Sequence, residues 1–417
     1  MKRTALSQLG QRIAEPPIAW LMKQTLDHPH IISLAAGFTD NASLPVLEAQ
    51  DLARRVLTKA ARGQAALQYG ATAGDARLRE LTVKRLQHLD HGKADAPVAQ
   101  TLMTHGSQQL LYLLSEALFD TGDIVIVEDP TYFVFLGIAQ SRNIDCRGVK
   151  LTPEGVDLAD LERCLEQLKK EGSLPKLKAL YLVTYHQNPT GYTTRLERKA
   201  AALKLLKRYE KAAGHPIYLL EDAAYRELRF KGDDVPSALT CKGSDRVIYA
   251  GTYSKPFATG IRVGFGILPK ELFPAVLRIK GNHDFGTANL LQQLLAEALA
   301  TGTYERHLTQ LRERYASKAA VMVAAIRKHF PADVQWRQPE GGLYVWARTP
   351  VRLKTGMKST FFKKALAQDV LYVPGELAYA DDTHRPKPNH EMRLSFGGAT
   401  EKDITEGITR LGRLLAS

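Results

Sequence analysis

RVIYAGTYSKPFATGIRVGFG, residues 246–266, decides how this chain folds. It opens on RVIYAGTY, a run of Val, Ile, Ala and Tyr with the length and composition of a buried strand. Thr252 near the end of that run and Ser254 just after it both precede Lys255. Arg262 comes seven positions after the lysine, and Gly264 then leads into a second short apolar run, FGILP at 265–269.

Working outward, the same kind of run recurs as LMT near 102, DIVIVED at 123, ALYLVTY at 179 and IYLLEDA at 217. The last three runs, counting RVIYAGTY, are spaced at roughly 30 residues, the usual size of a βαβ unit. Between two of them, RLERKAAALKLLKRYEKAAG (195–214) places Leu196, Ala200, Leu203 and Leu206 at helical spacing and stops at Gly214. The pattern is that of an α/β protein, a mainly parallel central sheet flanked by helices. After about residue 290 it changes to long helices followed by short strands such as GLYVWAR, which reads as a second, smaller α+β domain. DDTHRPKPNH, 381–390, is polar and Pro-rich and reads as a surface loop.

A lone lysine is ordinarily solvated surface charge. Lys255 differs in its company: Thr252, Ser254 and Arg262 supply two hydroxyls and a guanidinium fork, the groups that grip a phosphate monoester. An amine among such cations loses its proton more readily, the condition for forming a Schiff base near neutral pH. LEDAAYREL (220–228) opens where an apolar strand ends on two carboxylates, the place where open α/β sheets bind ligands. A carboxylate such as Asp222 can keep a pyridine nitrogen protonated, although capping the next helix is the ordinary role of an isolated acidic pair. Tyr225 follows three positions on. YHQNPTG (185–191) is a turn directly after a strand and brings the Asn188 amide to the same sheet edge. In THGSQQLLYLLSEALF (104–119), Gly106, Ser107 and Gln108 open a helix whose free amides and dipole suit an anion. EDPTYFVF puts Tyr132 just past a strand, where its ring could stack on a heterocycle.

The 417 residues are 44% hydrophobic, enough for one large core and a smaller lobe. The formal net charge is +13, but the basic residues are interleaved with acidic ones rather than clustered, which points away from nucleic acid and equally fits solubility or the attraction of anionic small molecules. Cys146, Cys164 and Cys241 form no CxxC pair, so neither a disulfide framework nor a metal site is indicated. No stretch of about 18 apolar residues occurs, and the N-terminus lacks the apolar run of a signal peptide. The expectation is a cytoplasmic protein with no membrane association.

Taken together, GSQQ, DPTY, NPTG, ED-x-x-Y, SK-x-x-x-x-G-x-R-x-G and MRLSF (392–396) resemble, in order and spacing, the class I and II aminotransferases of pyridoxal 5′-phosphate (PLP) fold type I. SLAAG (33–37), LQYGATAGDARLRE (67–80), PEGGLYVWA (339–347) and VPGE (373–376) extend the match over most of the chain. Within that group it is most similar to the branch holding 2-aminoadipate and kynurenine aminotransferases and the catalytic domains of MocR-type regulators. The resemblance implies a large PLP-binding domain at 46–295 and a small domain built from 1–45 and 296–417. It implies transfer of an amino group from an amino acid to a 2-oxo acid through a Lys255 aldimine and pyridoxamine phosphate. Lys255 would also move the substrate proton. Asp222 would bind the pyridine nitrogen, Asn188 and Tyr225 the ring oxygen, and Tyr132 would stack on the ring. Ser107, Gln108, Thr252, Ser254 and Arg262 would hold the phosphate, with Tyr69 reaching it from the partner subunit of a homodimer. Arg393 would pair with the substrate α-carboxylate, and Gly37 would allow close approach.

Four departures from the family pattern stand near these positions: Thr259 in place of Pro, Tyr185 leading into QNPTG, His105 in place of a small polar residue, and TANLLQQ (287–293) without its usual serines. Other PLP chemistry on the same fold, a β-lyase, decarboxylase or racemase, would use the same cofactor residues. A non-catalytic sensor of the MocR kind would need a DNA-binding domain ahead of SLAAG, where only about 30 residues stand.

Overall fold

The sheet expected from the apolar runs is the centre of the computed structural model, which describes residues 5–13 and 17–416. Its strands are β1 (Thr101–Thr104), β2 (Ile124–Asp129), β3 (Asp145–Thr152), β4 (Gly155–Val156), β5 (Leu177–Val183), β6 (Tyr218–Asp222), β7 (Val247–Thr252) and β8 (Gly264–Ile267). They lie in the order β1-β8-β7-β6-β5-β2-β3-β4. From β3 through β7 in space, neighbours run parallel, whereas β8 is antiparallel to both β7 and β1, and β4 folds back on β3.

The apolar-run reading does not foresee β3 and β4. DCRGVKLT alternates charged with small or apolar residues because it sits at the rim, with Asp145 and Lys150 exposed. The strand expected at 265–269 is shorter and earlier, ending at Ile267 before Pro269.

Successive side chains on a strand face opposite sides, so each central strand feeds two cores. Ile124, Ile126, Leu180, Leu182, Leu219 and Tyr249 belong to one, and Val125, Val127, Tyr181, Val183, Leu220 and Ile248 to the other. The rule separates the two adjacent carboxylates of β6. Glu221 takes the first face, where it accepts hydrogen bonds from Lys199 Nζ at 2.8 Å, Thr184 Oγ1 at 3.0 Å and the Ala238 amide at 2.7 Å. Asp222 takes the second, beside Tyr181.

Register then decides which residues meet at the edge. Val183 is opposite Asp222, Asp222 opposite Ala250, Thr252 opposite Gly264 and Gly264 opposite Thr104. The ends of β1, β5, β6 and β7 therefore open at one edge, and the helix Gly106–Leu118 starts there.

Four of the remaining strands form an antiparallel sheet in the spatial order Gln335–Trp336, Tyr344–Arg348, Glu391–Ser395, Val373–Pro374. Helices Thr303–His329 and Glu401–Ala416 pack together beside it. The N-terminal segment joins this part of the molecule: Ile32 and Ser33 pair in parallel with Val370 and Leu371, and Ser395 N–H donates to Leu34 O at 2.7 Å. The segment 381–390 is the expected surface loop, without helix or strand and largely exposed, and it is pinned to the body of the large sheet at two residues. Asp382 is buried and accepts from Gly148 N–H at 3.0 Å, and Arg385 pairs with Asp129 and Asp160. No helix among the described residues is long and apolar enough to cross a membrane.

Candidate active site

At the strand-end edge lies a cavity of about 180 Å³ lined by Ser107, Gln108, Tyr132, Asn188, Asp222, Tyr225, Thr252, Ser254, Lys255 and Arg262, together with Gly106, Val183, Ala224 and Thr259. Ten of the residues singled out in the sequence thus meet in one place. Gly37, Arg393 and Tyr69 do not line it.

One end of the cavity is built for an anion. Gly106 has φ +72°, a left-handed conformation that suits glycine and starts the helix with its first amides facing the cavity edge. A Cβ there would come within 2.8 Å of Arg262 Nη2, so guanidinium and helix start are in near contact. Gly264 must also be bare, because a Cβ on it would stand 2.4 Å from the Gly106 carbonyl carbon. Arg262 Nη1 donates to Ser254 Oγ at 3.4 Å, leaving the serine proton free for a ligand. Thr252 Oγ1 accepts from Ser254 N–H at 3.1 Å and donates to Val263 O at 3.3 Å, so this hydroxyl braces the turn.

The other end is acidic. Asp222 Oδ2 accepts from Tyr181 Oη at 2.8 Å and Oδ1 from Ala224 N–H at 3.1 Å. Burial nevertheless pushes its carboxyl up to about 6, against the lowering by those two donors. A carboxylate so desolvated binds a cation strongly when one is supplied. Between the two ends stands Lys255, whose Nζ donates to Gly37 O at 2.9 Å. Burial, then the charges of Arg393 and Arg262, bring its amine down to about 8, where an appreciable fraction is unprotonated near neutrality.

A second wall closes over the lysine. Buried Arg393 donates through Nη1 to Asn188 Oδ1 at 2.7 Å and through Nη2 to Ala35 O at 2.5 Å, while its Nε has no partner. The Asn188 oxygen is thus engaged, and its amide NH₂ is the end left to donate. The Arg393 guanidinium lies 4.3 Å over the Tyr344 ring and 5.2 Å from the centre of Phe133. Tyr225 Oη is 2.9 Å from Tyr344 Oη, and a Cβ on Gly37 would come within 2.8 Å of that same hydroxyl. Tyr69, in contrast, is 82% exposed and stands edge-on to Phe285.

Sequence reasoning missed Tyr181, Tyr344 and Phe133. Tyr181 lies inside ALYLVTY, where a tyrosine reads as core, and only the shared face with Asp222 across adjacent strands marks it. Tyr344 lies in the quoted PEGGLYVWA without a role attached to it.

The donor set fits PLP. It offers an anion cradle at Gly106, Ser107 and Arg262, an amine midway, a desolvated carboxylate at the far end and the aromatic Tyr132 along the side. Burial holds the Tyr132 phenol protonated.

The family model described as aminotransferase class I and II matches residues 29–411. An aromatic-amino-acid aminotransferase of Thermococcus litoralis is 34% identical over 98% of this chain and 92% of its own length. A 2-aminoadipate transaminase of Thermus thermophilus is 32% identical over 97% of this chain and 94% of its own. Among solved structures, a kynurenine aminotransferase of Pyrococcus horikoshii in complex with PMP superposes with a TM-score of 0.89 at 30% identity, covering 99% of this chain and 97% of that one.

Proposed function

The chain belongs to the class I and II aminotransferase family and is a PLP-dependent transaminase of fold type I, and from that premise we propose that its amino donor carries a large side chain, aromatic or of the aminoadipate kind. The names of the similar enzymes support that substrate class. The site reading is carried by one observation: Arg262, Lys255 and Asp222 stand in a single cavity, with the lysine amine brought down to about 8.

Bound PLP supplies a carbonyl that takes up the amino group and a protonated ring that stabilises negative charge at the substrate Cα. Each of the chain's own residues then has one task in this reading. Arg262, Ser254, Ser107 and Gln108 hold the phosphate. Asp222 keeps a proton on the pyridine nitrogen, and Asn188 and Tyr225 donate to the ring oxygen. Tyr132 covers the ring face and excludes water. Arg393 pairs with the α-carboxylate, fixing which Cα bond faces Lys255, and Lys255 Nζ takes the proton from Cα.

The same reading assigns 46–295 to a cofactor-binding domain and 1–45 with 296–417 to a small domain. The confinement of the large sheet to 101–267 and the pairing of Ile32–Ser33 with Val370–Leu371 support it. The unit is a homodimer in which the exposed Tyr69 reaches the partner's phosphate. Three free thiols support a cytoplasmic location.

The test is a single-turnover screen of the holoenzyme against the twenty amino acids, aminoadipate and kynurenine, read at the visible cofactor band. Aromatic donors and aminoadipate are expected to discharge the band fastest. Conversion by small donors alone would overturn the substrate class, and release of pyruvate and ammonia without an oxo-acid acceptor would point to lyase chemistry.

A further inference from the structure

Tyr344 has no role in the scheme above, yet it touches Tyr225 and Arg393 and crowds Gly37. It is buried on the strand Tyr344–Arg348, and its hydroxyl lies 2.9 Å from Tyr225 Oη with the rings edge to face at 5.7 Å. Its ring carries the Arg393 guanidinium at 4.3 Å. The same hydroxyl stands where a side chain on Gly37 would go, and Gly37 O receives the Lys255 amine.

Each phenol has one proton to give. Tyr225 lines the cavity, and burial keeps it protonated. If Tyr225 spends its proton on the cofactor ring oxygen, the bond between the two phenols must run from Tyr344 to Tyr225. A hydroxyl that accepts one hydrogen bond becomes a better donor of the next, by on the order of 10–30% per bond. The cation above the Tyr344 ring draws electrons from that phenol and strengthens the first link in the relay.

We propose that Tyr344 is a positioning residue for Tyr225: its phenol donates to Tyr225 Oη, turns the Tyr225 proton into the cavity and strengthens its donation to the cofactor ring oxygen. The inference rests on the Tyr225 role assigned above. A donor on the ring oxygen satisfies its charge and weakens its hold on the proton of the neighbouring nitrogen. That proton then leaves at lower pH. Weakening the donor therefore raises the pH at which the visible band of the bound cofactor changes.

The experiment titrates that band in the wild-type holoenzyme, Tyr344→Phe, Tyr225→Phe and the double variant. Tyr344→Phe keeps the ring under Arg393 and removes only the hydroxyl. Tyr225→Phe is expected to raise the midpoint, and Tyr344→Phe to raise it by about a quarter as much, in keeping with the cooperative strengthening of one bond. The double variant should match Tyr225→Phe alone. A shifted Tyr225→Phe with an unmoved Tyr344→Phe overturns the proposal and leaves the Tyr225 assignment standing, as does a double variant in which the two shifts add. An unmoved Tyr225→Phe overturns the Tyr225 assignment and this inference with it.

Discussion

Lys255, Asp222 and the anion cradle stand at or just beyond the ends of adjacent strands of one sheet, whereas Arg393 and Tyr344 sit on neighbouring strands of the small antiparallel sheet, Gly37 on the N-terminal segment, and these three meet the large sheet's edge through individual side-chain bonds. The floor is fixed by register, since moving Asp222 relative to Thr252 would break the β6–β7 ladder. The roof has a ladder of its own and is fastened to the floor by contacts such as Arg393 to Asn188, Tyr344 to Tyr225 and Lys255 to Gly37 O. Each bond of that sort contributes about 1 kcal/mol net, more where a charge takes part. The difference suggests a division of labour in which the rigid floor holds the cofactor and the more weakly fastened roof receives substrate.

The largest expected break in that division is Lys255→Ala. The floor's anion cradle and carboxylate remain, so cofactor is expected to bind, while transamination is expected to fall by up to about 10⁴-fold for want of the amine proposed to move the Cα proton. Steady-state kcat and the visible spectrum of the variant check both halves. A visible band identical to that of the wild type would remove Lys255 from its assigned place.

Asp222 tests the floor through pH. Its folded carboxyl is raised to about 6 from an ordinary 3.8. Between those values the folded protein keeps a proton that the unfolded chain has lost, so stability falls as pH rises from about 4 to 6 and levels off above. The loss is on the order of 3 kcal/mol for a buried group displaced by two pH units. Urea unfolding of the cofactor-free protein across that window should show it, and Asp222→Asn should remove this share while leaving that of Asp129, whose carboxyl is raised to the same value. If Asp222 faces the protonated ring nitrogen as proposed, PLP should remove the same share in the wild type.

The roof is tested by Arg393→Lys. A lysine keeps the charge but loses the fork that can hold Asn188, Ala35 O and a substrate carboxylate together. A loss of about 2 kcal/mol, or roughly 30-fold in kcat/KM, is expected for amino acids, with cofactor affinity unchanged. A matching loss of cofactor affinity would erase the distinction between floor and roof.

The same contrast decides what the sequence disclosed. Floor residues sit in short motifs at strand ends, where an apolar run announces the strand and the residues after it announce the site. Period-2 alternation even separates Glu221 from Asp222, although only the pairing of β5 with β6 tells which face holds the cavity. Roof contacts are formed across 119 residues between Tyr225 and Tyr344 and 205 between Asn188 and Arg393, and no local pattern encodes a partner at that distance. Rim strand β3 was hidden for another reason: its exposed Asp145 and Lys150 break the apolar run that marks the inner strands.

The smallest effect concerns a fastening between the two regions that composition concealed. The polar segment 381–390 reads as a surface loop and is one, and within it Arg385 sets its guanidinium 3.3 Å from Asp129 at the end of β2 and 2.7 Å from Asp160 on the helix Leu158–Lys170. Asp129 also accepts from Ala380 N–H at 3.2 Å, and burial raises its carboxyl to about 6 despite that bond and the arginine. Arg385→Ala would remove a cation that favours the ionised form, so the Asp129 carboxyl should rise further. The arginine side chain is one-third exposed, at 33%, so solvent screens the pair and the cost should be about 1 kcal/mol. Faster amide exchange should appear in 380–390 and at the Gly148 amide that Asp382 holds, with the exchange of β6 and β7 unchanged. Faster exchange in β6 and β7 as well would mean that the floor depends on the fastening, and the two walls would no longer be separable.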